Sequence, residues 1–196
     1  MSGSSSPPSA IPSAAPPPAS SLSFLFDPAR HSSRFLELAN GGSTVGCHTN
    51  CGRPAQGTAF IGPPFTPGHR YRLAIRIDSK PGRMCYFLGV APQRFDVDAG
   101  QATIRSAAFS LENLAGSLHS VGKPCAAKAP PLLHAGSTVT MDIDLASTPC
   151  TLRFTGLAGG AVKEMSLPRP PVAGYHGFVS LYNRGASFTI VAAEQD

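Results

Sequence analysis

A chain of 196 residues holds one domain with an extension, or two small units. Charged residues make up only 14% against a usual quarter or so, glycine and proline number 20 each, and tryptophan is absent. These proportions exclude a coiled coil, an all-helical bundle and a wholly disordered chain, and they favour a turn-rich all-β domain carrying something flexible. The net charge of +5 rests mainly on 12 arginines spread from Arg30 to Arg184. That dispersion lacks the clustered footprint of a nucleic-acid binder. No uninterrupted apolar run approaches the 18 to 20 residues of a membrane-spanning helix.

Residues 1–21 hold eight serines, six prolines and four alanines with no charge and no aromatic, too little apolar surface to offset the entropy of ordering. The expectation is a disordered tail with polyproline II character around Pro16-Pro17-Pro18. It lacks the basic start and apolar core of a signal peptide, and the arginines of a mitochondrial presequence. From residue 22 onward the period is two, which predicts a folded all-β domain over 22–196.

The first strands are predicted at 24–26 and 35–38. The segment Cys47-His48-Thr49-Asn50-Cys51 is the one local cluster with metal-ligand chemistry, but a structural zinc site needs a fourth ligand that no second pair supplies. A loop of reduced thiols is the better reading, and no metal or other cofactor is expected. In 70–78, Tyr71, Leu73, Ile75 and Ile77 alternate with Arg70, Arg72, Ala74, Arg76 and Asp78. In 138–145, Val139, Met141, Ile143 and Leu145 alternate with Thr138, Thr140, Asp142 and Asp144. Each is a strand with one buried and one wet face. Shorter strands are predicted at 85–90, 107–111, 151–154, 178–182 and 187–191, separated by Gly, Pro, Asn, Asp and Ser. No ten-residue window makes a convincing amphipathic helix. Strands of this kind pack as an antiparallel sandwich of two sheets.

Cys85, in an apolar run, and Cys150, ahead of a strand, read as small buried hydrophobes. Five widely spaced cysteines do not form the framework of a secreted domain, so an intracellular, cytoplasmic setting is expected. Motifs of common enzymes are missing: there is no GxSxG elbow, P-loop, GxGxxG after a strand or HExxH. Asp142 and Asp144 share one wet face about 7 Å apart, a spacing that suits paired glycosidase acids. An ordinary solvated face accounts for them better, and no catalytic residue is expected. Arg70, Arg72 and Arg76 line another wet face, where pairing with Asp142 and Asp144 on a neighbouring strand is the simplest account.

Four segments, in order, resemble the SPRY domain family. They are Tyr71 to Asp78 with Cys85-Tyr86-Phe87-Leu88-Gly89-Val90-Ala91, and Phe109-Ser110-Leu111-Glu112-Asn113 with Gly116-Ser117-Leu118. Then come Ala135-Gly136-Ser137-Thr138-Val139 through Asp144-Leu145 to Leu152-Arg153-Phe154, and Phe178-Val179-Ser180-Leu181-Tyr182 with Ser187-Phe188-Thr189-Ile190. The chain departs from the family's pattern at Leu73, at Thr155-Gly156 and at His176-Gly177. The resemblance implies a bent, concanavalin-like sandwich whose loops recognise a protein or peptide, as an adaptor, scaffold or complex subunit without catalysis.

Mapped onto this chain, the binding loops are 47–53, 98–105 and 182–184. The candidate partner-binding residues are His48, Asn50, Arg53, Gln101, Arg105, Tyr182, Asn183 and Arg184. Tyrosine and arginine dominate interface hot spots, arginine forks suit carboxylates and carbonyls, and asparagines satisfy a peptide backbone. Competing readings make Tyr182 a core-closing residue and 183–185 a tight turn. Other functions compatible with such a sandwich are lectin-like carbohydrate binding, which the lack of tryptophan disfavours, and capture of an anion or nucleic acid by exposed arginines. Deleting residues 1–21 is expected to leave the melting temperature of the remaining domain unchanged within a degree or two, as read by circular dichroism.

Overall fold

A computed structural model describes residues 23–49, 56–79, 86–112, 117–121, 123–124 and 133–196. The expectations for the tail and for Cys51, Cys85 and Cys125 lie outside those residues. In chain order the elements begin with β1 (Leu25–His31), β2 (Leu36–Ala39), β3 (Thr44–Cys47), β4 (Gly57–Phe65), β5 (Arg70–Ser79) and β6 (Tyr86–Ala91). A short helix α1 (Gln101–Ala107) follows, then β7 (Phe109–Glu112), β8 (Ser117–Ser120), β9 (Lys123–Pro124) and β10 (Thr138–Asp144). The chain closes with β11 (Cys150–Thr155), β12 (Lys163–Leu167), β13 (Tyr175–Leu181) and β14 (Ser187–Gln195).

Among the described residues these strands form two antiparallel seven-stranded sheets. The first has the order β1-β4-β13-β6-β7-β8-β9 and the second β12-β11-β10-β5-β14-β3-β2. The all-β sandwich read from the sequence is the architecture observed.

The two sheets differ in how they are covered, and their sequences differ accordingly. The second sheet alternates: Tyr71, Leu73, Ile75 and Ile77 of β5 are buried while Arg70, Arg72 and Arg76 face water. The first sheet is buried on both faces. Its inner face contributes Ala59, Ile61, Phe65, Leu88, Val90, Val179 and Leu181 to the core between the sheets. Its outer face carries Phe60, Phe87, Ala91 and Phe178, sealed by Ile104 and Ala108 of the α1 region and by Phe95 and Val97. Strands covered on both sides read as unbroken apolar runs, which is why β6 is buried at every residue.

Strands β3, β4, β8, β9 and β12 and the helix α1 lie outside the sequence expectation. The strand β4, between β1 and β13, is hidden in the sequence because Gly57, Gly62, Pro63 and Pro64 within it are turn signals by composition. The segment 98–105, expected to be a loop, is helical from Gln101 onward, and Ala107 ends that helix rather than opening a strand. One buried apolar residue, Ile104, anchors this seven-residue helix, too little for a helical period to show.

Gly89 lies where β6 meets β7 most closely. A Cβ there would stand 2.1 Å from the Phe109 carbonyl oxygen and 2.7 Å from Ser110 Cα. Gly89→Ala is therefore expected to cost about 2–3 kcal/mol by forcing two backbones apart, measured by urea denaturation.

Candidate functional site

One end of the sandwich is tied together by a continuous run of main-chain hydrogen bonds. Gly185 N donates to Cys47 O at 2.7 Å and Cys47 N to Ala186 O at 2.7 Å, so the end of β3 lies against the β13–β14 turn. His48 N reaches Phe35 O at 3.1 Å, and Phe35 N reaches Ser32 O at 3.1 Å. Ser32 N donates to Thr58 O at 2.9 Å, and Thr58 N to Val97 O at 2.8 Å. The Ser32 hydroxyl closes the chain of contacts on the Asp98 carboxylate. Of the loops mapped at 47–53, 98–105 and 182–184, the hydrogen bonds tie Cys47, His48 and Asp98 and the turn at 183–186 into one rim.

Within that rim Ala186 N donates to Asn183 O at 3.1 Å, and Gly185 has φ 82°. This is a β-turn that needs a left-handed third residue, which glycine supplies. The tight-turn reading of 183–185 is therefore correct, and it leaves Arg184 exposed at the tip. Tyr182 is half-buried, with part of its surface against the core cluster. The Asn183 Oδ1 is buried without a hydrogen-bond partner among the described residues, and so is Gln56 Nε2, one residue before Gly57, the partner of Leu181. His48 is exposed. The Cys47 thiol is buried and donates to Thr49 O at 3.0 Å. Asn50 and Arg53 lie outside the described residues.

Gln101 opens α1 and is half-buried on the outer side of the first sheet. Arg105 is held by Glu112 with its side chain still 42% exposed: its Nη2 is 2.6 Å and its Nε 3.1 Å from the two oxygens of Glu112. Its guanidinium carbon is 5.9 Å from the Phe87 ring centroid. Glu112 is 1% exposed, and His119 Nε2 lies 2.6 Å from its Oε2. Burial alone would raise this carboxyl's pKa. The close His119 ring and the Arg105 guanidinium outweigh it and hold the group down at about 2.

The arginine stripe on β5 behaves as the sequence reading anticipated. Arg70 Nε is 3.0 Å from Asp144 and Arg72 Nε 2.7 Å from Asp142, on the adjacent strand β10. Arg76 pairs with Asp78 of its own strand at 2.5 Å. Registers extend the pattern across the sheet: Glu164, Arg153, Asp142, Arg72 and Glu194 stand directly opposite one another on β12, β11, β10, β5 and β14. A groove of about 340 Å³ runs along this face. Another, of about 760 Å³, lies at the end of the sandwich opposite the rim, between Pro67, Leu145, Pro149 and Leu167. Cys150 lines it, half-buried, with its thiol 3.4 Å from Ser147 O. Burial and the nearby Asp144 push that thiol's pKa up, which keeps it protonated.

Solved structures supply the comparison. The SPRY domain of human HERC1 superposes with a TM-score of 0.64 at 18% identity, over 84% of this chain and 96% of that one. The TRIM65 PSpry domain gives 0.63 at 17%, over 86% and 92%. The chain has the SPRY fold. The exoplasmic/lumenal domain of VIP36, in its Ca2+/Man3GlcNAc-bound form, shares the sandwich more distantly, with a TM-score of 0.52 and 9% identity over 88% of this chain and 87% of that one. No protein-family model and no curated protein matches the sequence.

Residues that build the rim of this SPRY fold escaped the sequence reading. Ser32, Gln56, Thr58 and Asp98 carry no motif, because their roles depend on contacts between distant segments. Glu112 lies within the resemblance segment 109–113 and His119 directly after 116–118, and the resemblance gives neither a role. Glu112 sits in an apolar strand pattern, and a lone carboxylate there is the available signal of a buried pair. Because the folded carboxyl titrates near 2 and an ordinary one near 4.5, its stabilisation is complete above pH 4.5 and is lost as pH falls toward 2. Glu112→Gln is expected to lower stability by about 3 kcal/mol at pH 7, with the gap to wild type closing between pH 4.5 and 2 in urea titrations.

Proposed function

We propose that this domain is a non-enzymatic protein–protein interaction module, an adaptor or complex subunit that recognises a peptide or protein partner at the rim. The observation that carries this reading is the hydrogen-bonded junction of Cys47 with Gly185 and Ala186, which holds the end of β3 and the β13–β14 turn side by side on a SPRY sandwich. A rigid rim binds without first losing loop entropy, so more of its contact energy appears as affinity. Tyr182 supplies apolar area, Arg184 a guanidinium fork and His48 a ring. Asn50, Arg53, Gln101 and Arg105 complete the proposed set, with Arg105 acting from its ion pair. Free thiols at Cys47 and Cys150 are compatible with an intracellular setting.

Tyr182→Ala with Arg184→Ala is expected to abolish capture of partners from native lysate, read by mass spectrometry at low and moderate salt. The melting temperature should stay within a few degrees of wild type, because the turn's hydrogen bonds are main-chain. Identical partners on both proteins would overturn the rim assignment. Release of the captured material by free sugar or by salt alone would overturn the protein-partner reading.

A further inference from the structure

The connection from β12 to β13 opens Leu167-Pro168-Arg169-Pro170-Pro171-Val172, at the end of the sandwich opposite the rim. The pyrrolidine rings hold φ near −65° or so at Pro168, Pro170 and Pro171. Leu167, Arg169 and Pro170 each precede a proline, which disfavours helical backbone there and leaves extended or polyproline II conformations. Covalent geometry thus selects polyproline II, and neither helix nor strand occupies 168–171. Both ends of the run are fastened. Leu167 ends β12 opposite Cys150 and lies in the core, and the Tyr175 hydroxyl donates to Pro168 O at 3.1 Å. At the far end Gly174 N donates to Pro171 O at 2.8 Å, and Gly174, with φ 80°, turns the chain into β13.

A polyproline II helix repeats every three residues or so and therefore presents three edges. One edge carries Leu167 and Pro170, another Pro168 and Pro171, the third Arg169 and Val172. The first faces the domain: Leu167 is buried, and Pro170 is half-buried on the wall of the groove of about 760 Å³. The other two face outward. Pro168 and Arg169 are exposed, Val172 is wholly exposed and Pro171 is half-buried. Among the described residues Arg169 makes no ion pair, and the Arg169 and Pro170 carbonyls accept no main-chain hydrogen bond. Pro168 and Pro171 have the P-x-x-P spacing that aromatic-lined polyproline grooves accept, and the fastened ends leave little backbone entropy to lose. Arg169, on the adjoining edge, adds a guanidinium fork suited to a carboxylate beside such a groove.

We propose that the run 168–172 is itself a ligand, which docks into an aromatic-lined polyproline groove, bordered by a carboxylate, on a second protein. The surface is separate from the rim and does not depend on it. The experiment presents the full chain to an array of purified SH3 and WW domains, whose grooves are of this kind. Members that bind are titrated by calorimetry, with a free proline-rich peptide as competitor.

The expected result is saturable binding to members that carry an acidic residue beside the groove, displaced by the competitor. Pro168→Ala with Pro171→Ala should weaken it about tenfold, and Arg169→Glu by a similar factor. Arg169→Glu is the safeguard against misfolding, because that side chain is exposed. Residues 1–21 hold a rival in Pro16-Pro17-Pro18, so replacing those three by alanine in the full chain should leave the affinity unchanged. Tyr182→Ala with Arg184→Ala should leave it unchanged as well, which separates this surface from the rim. No binding to any member would overturn the proposal. So would binding that survives the Pro168 and Pro171 substitutions, or that the Pro16–Pro18 or the rim substitutions abolish. Undiminished affinity in Arg169→Glu would overturn the carboxylate as part of the partner.

Discussion

Strands β4, β13 and β6 are apolar on both faces, and much of the remaining architecture follows from that constraint. A sheet with one greasy face needs only the opposing sheet. A sheet with two needs a second cover, and the chain provides it by laying 92–108 across Phe60, Phe87 and Phe178. At 25 cal/mol or so per Å², each sealed phenylalanine contributes about 2–3 kcal/mol relative to exposure. The cover also fixes one side of the rim, because Val97 can hydrogen-bond Thr58 only when 92–100 is pressed onto the sheet.

Polar groups enclosed beneath that cover are arranged to satisfy one another. Thr58 Oγ1 donates to Ser180 Oγ at 3.1 Å, and Ser180 Oγ to Gln56 Oε1 at 3.0 Å. Glu112, Arg105 and His119 form the ionic counterpart farther across the sheet. Removing one member of either set would strand its neighbours in a low-dielectric layer, which is why such groups act as registers for the segment above them. The rim thus inherits its geometry from contacts well inside the molecule.

How much of this was legible in the sequence depends on the range of each interaction. Strands β5 and β10 of the second sheet were readable because their alternation is local, and it even indicated the pairing of Arg70 and Arg72 with Asp144 and Asp142. The strand β4 was hidden because its glycines and prolines imitate turns, while its burial is imposed by neighbours on both sides. The helix α1 was hidden for a related reason: only Ile104 is anchored, and its stability comes from the aromatic floor beneath it. At the rim, the resemblance located the turn 182–184 and the end of β3. The bonds joining them link residues some 140 positions apart and leave no local trace.

The row Glu164, Arg153, Asp142, Arg72 and Glu194 has a consequence at distances well beyond contact. Alternating unit charges a strand apart cancel one another's fields within a few ångströms, and with Asp144, Arg70 and Asp196 beside them the acids outnumber the arginines on that face. The described residues carry 12 Arg and Lys against 11 Asp and Glu, so beyond this acidic face their remaining charge is net positive. The molecule is therefore electrically lopsided. An approaching acidic surface exerts a torque that turns the ion-laced sheet away, so that first encounters begin on the remaining faces, at a rate that falls as salt screens the asymmetry.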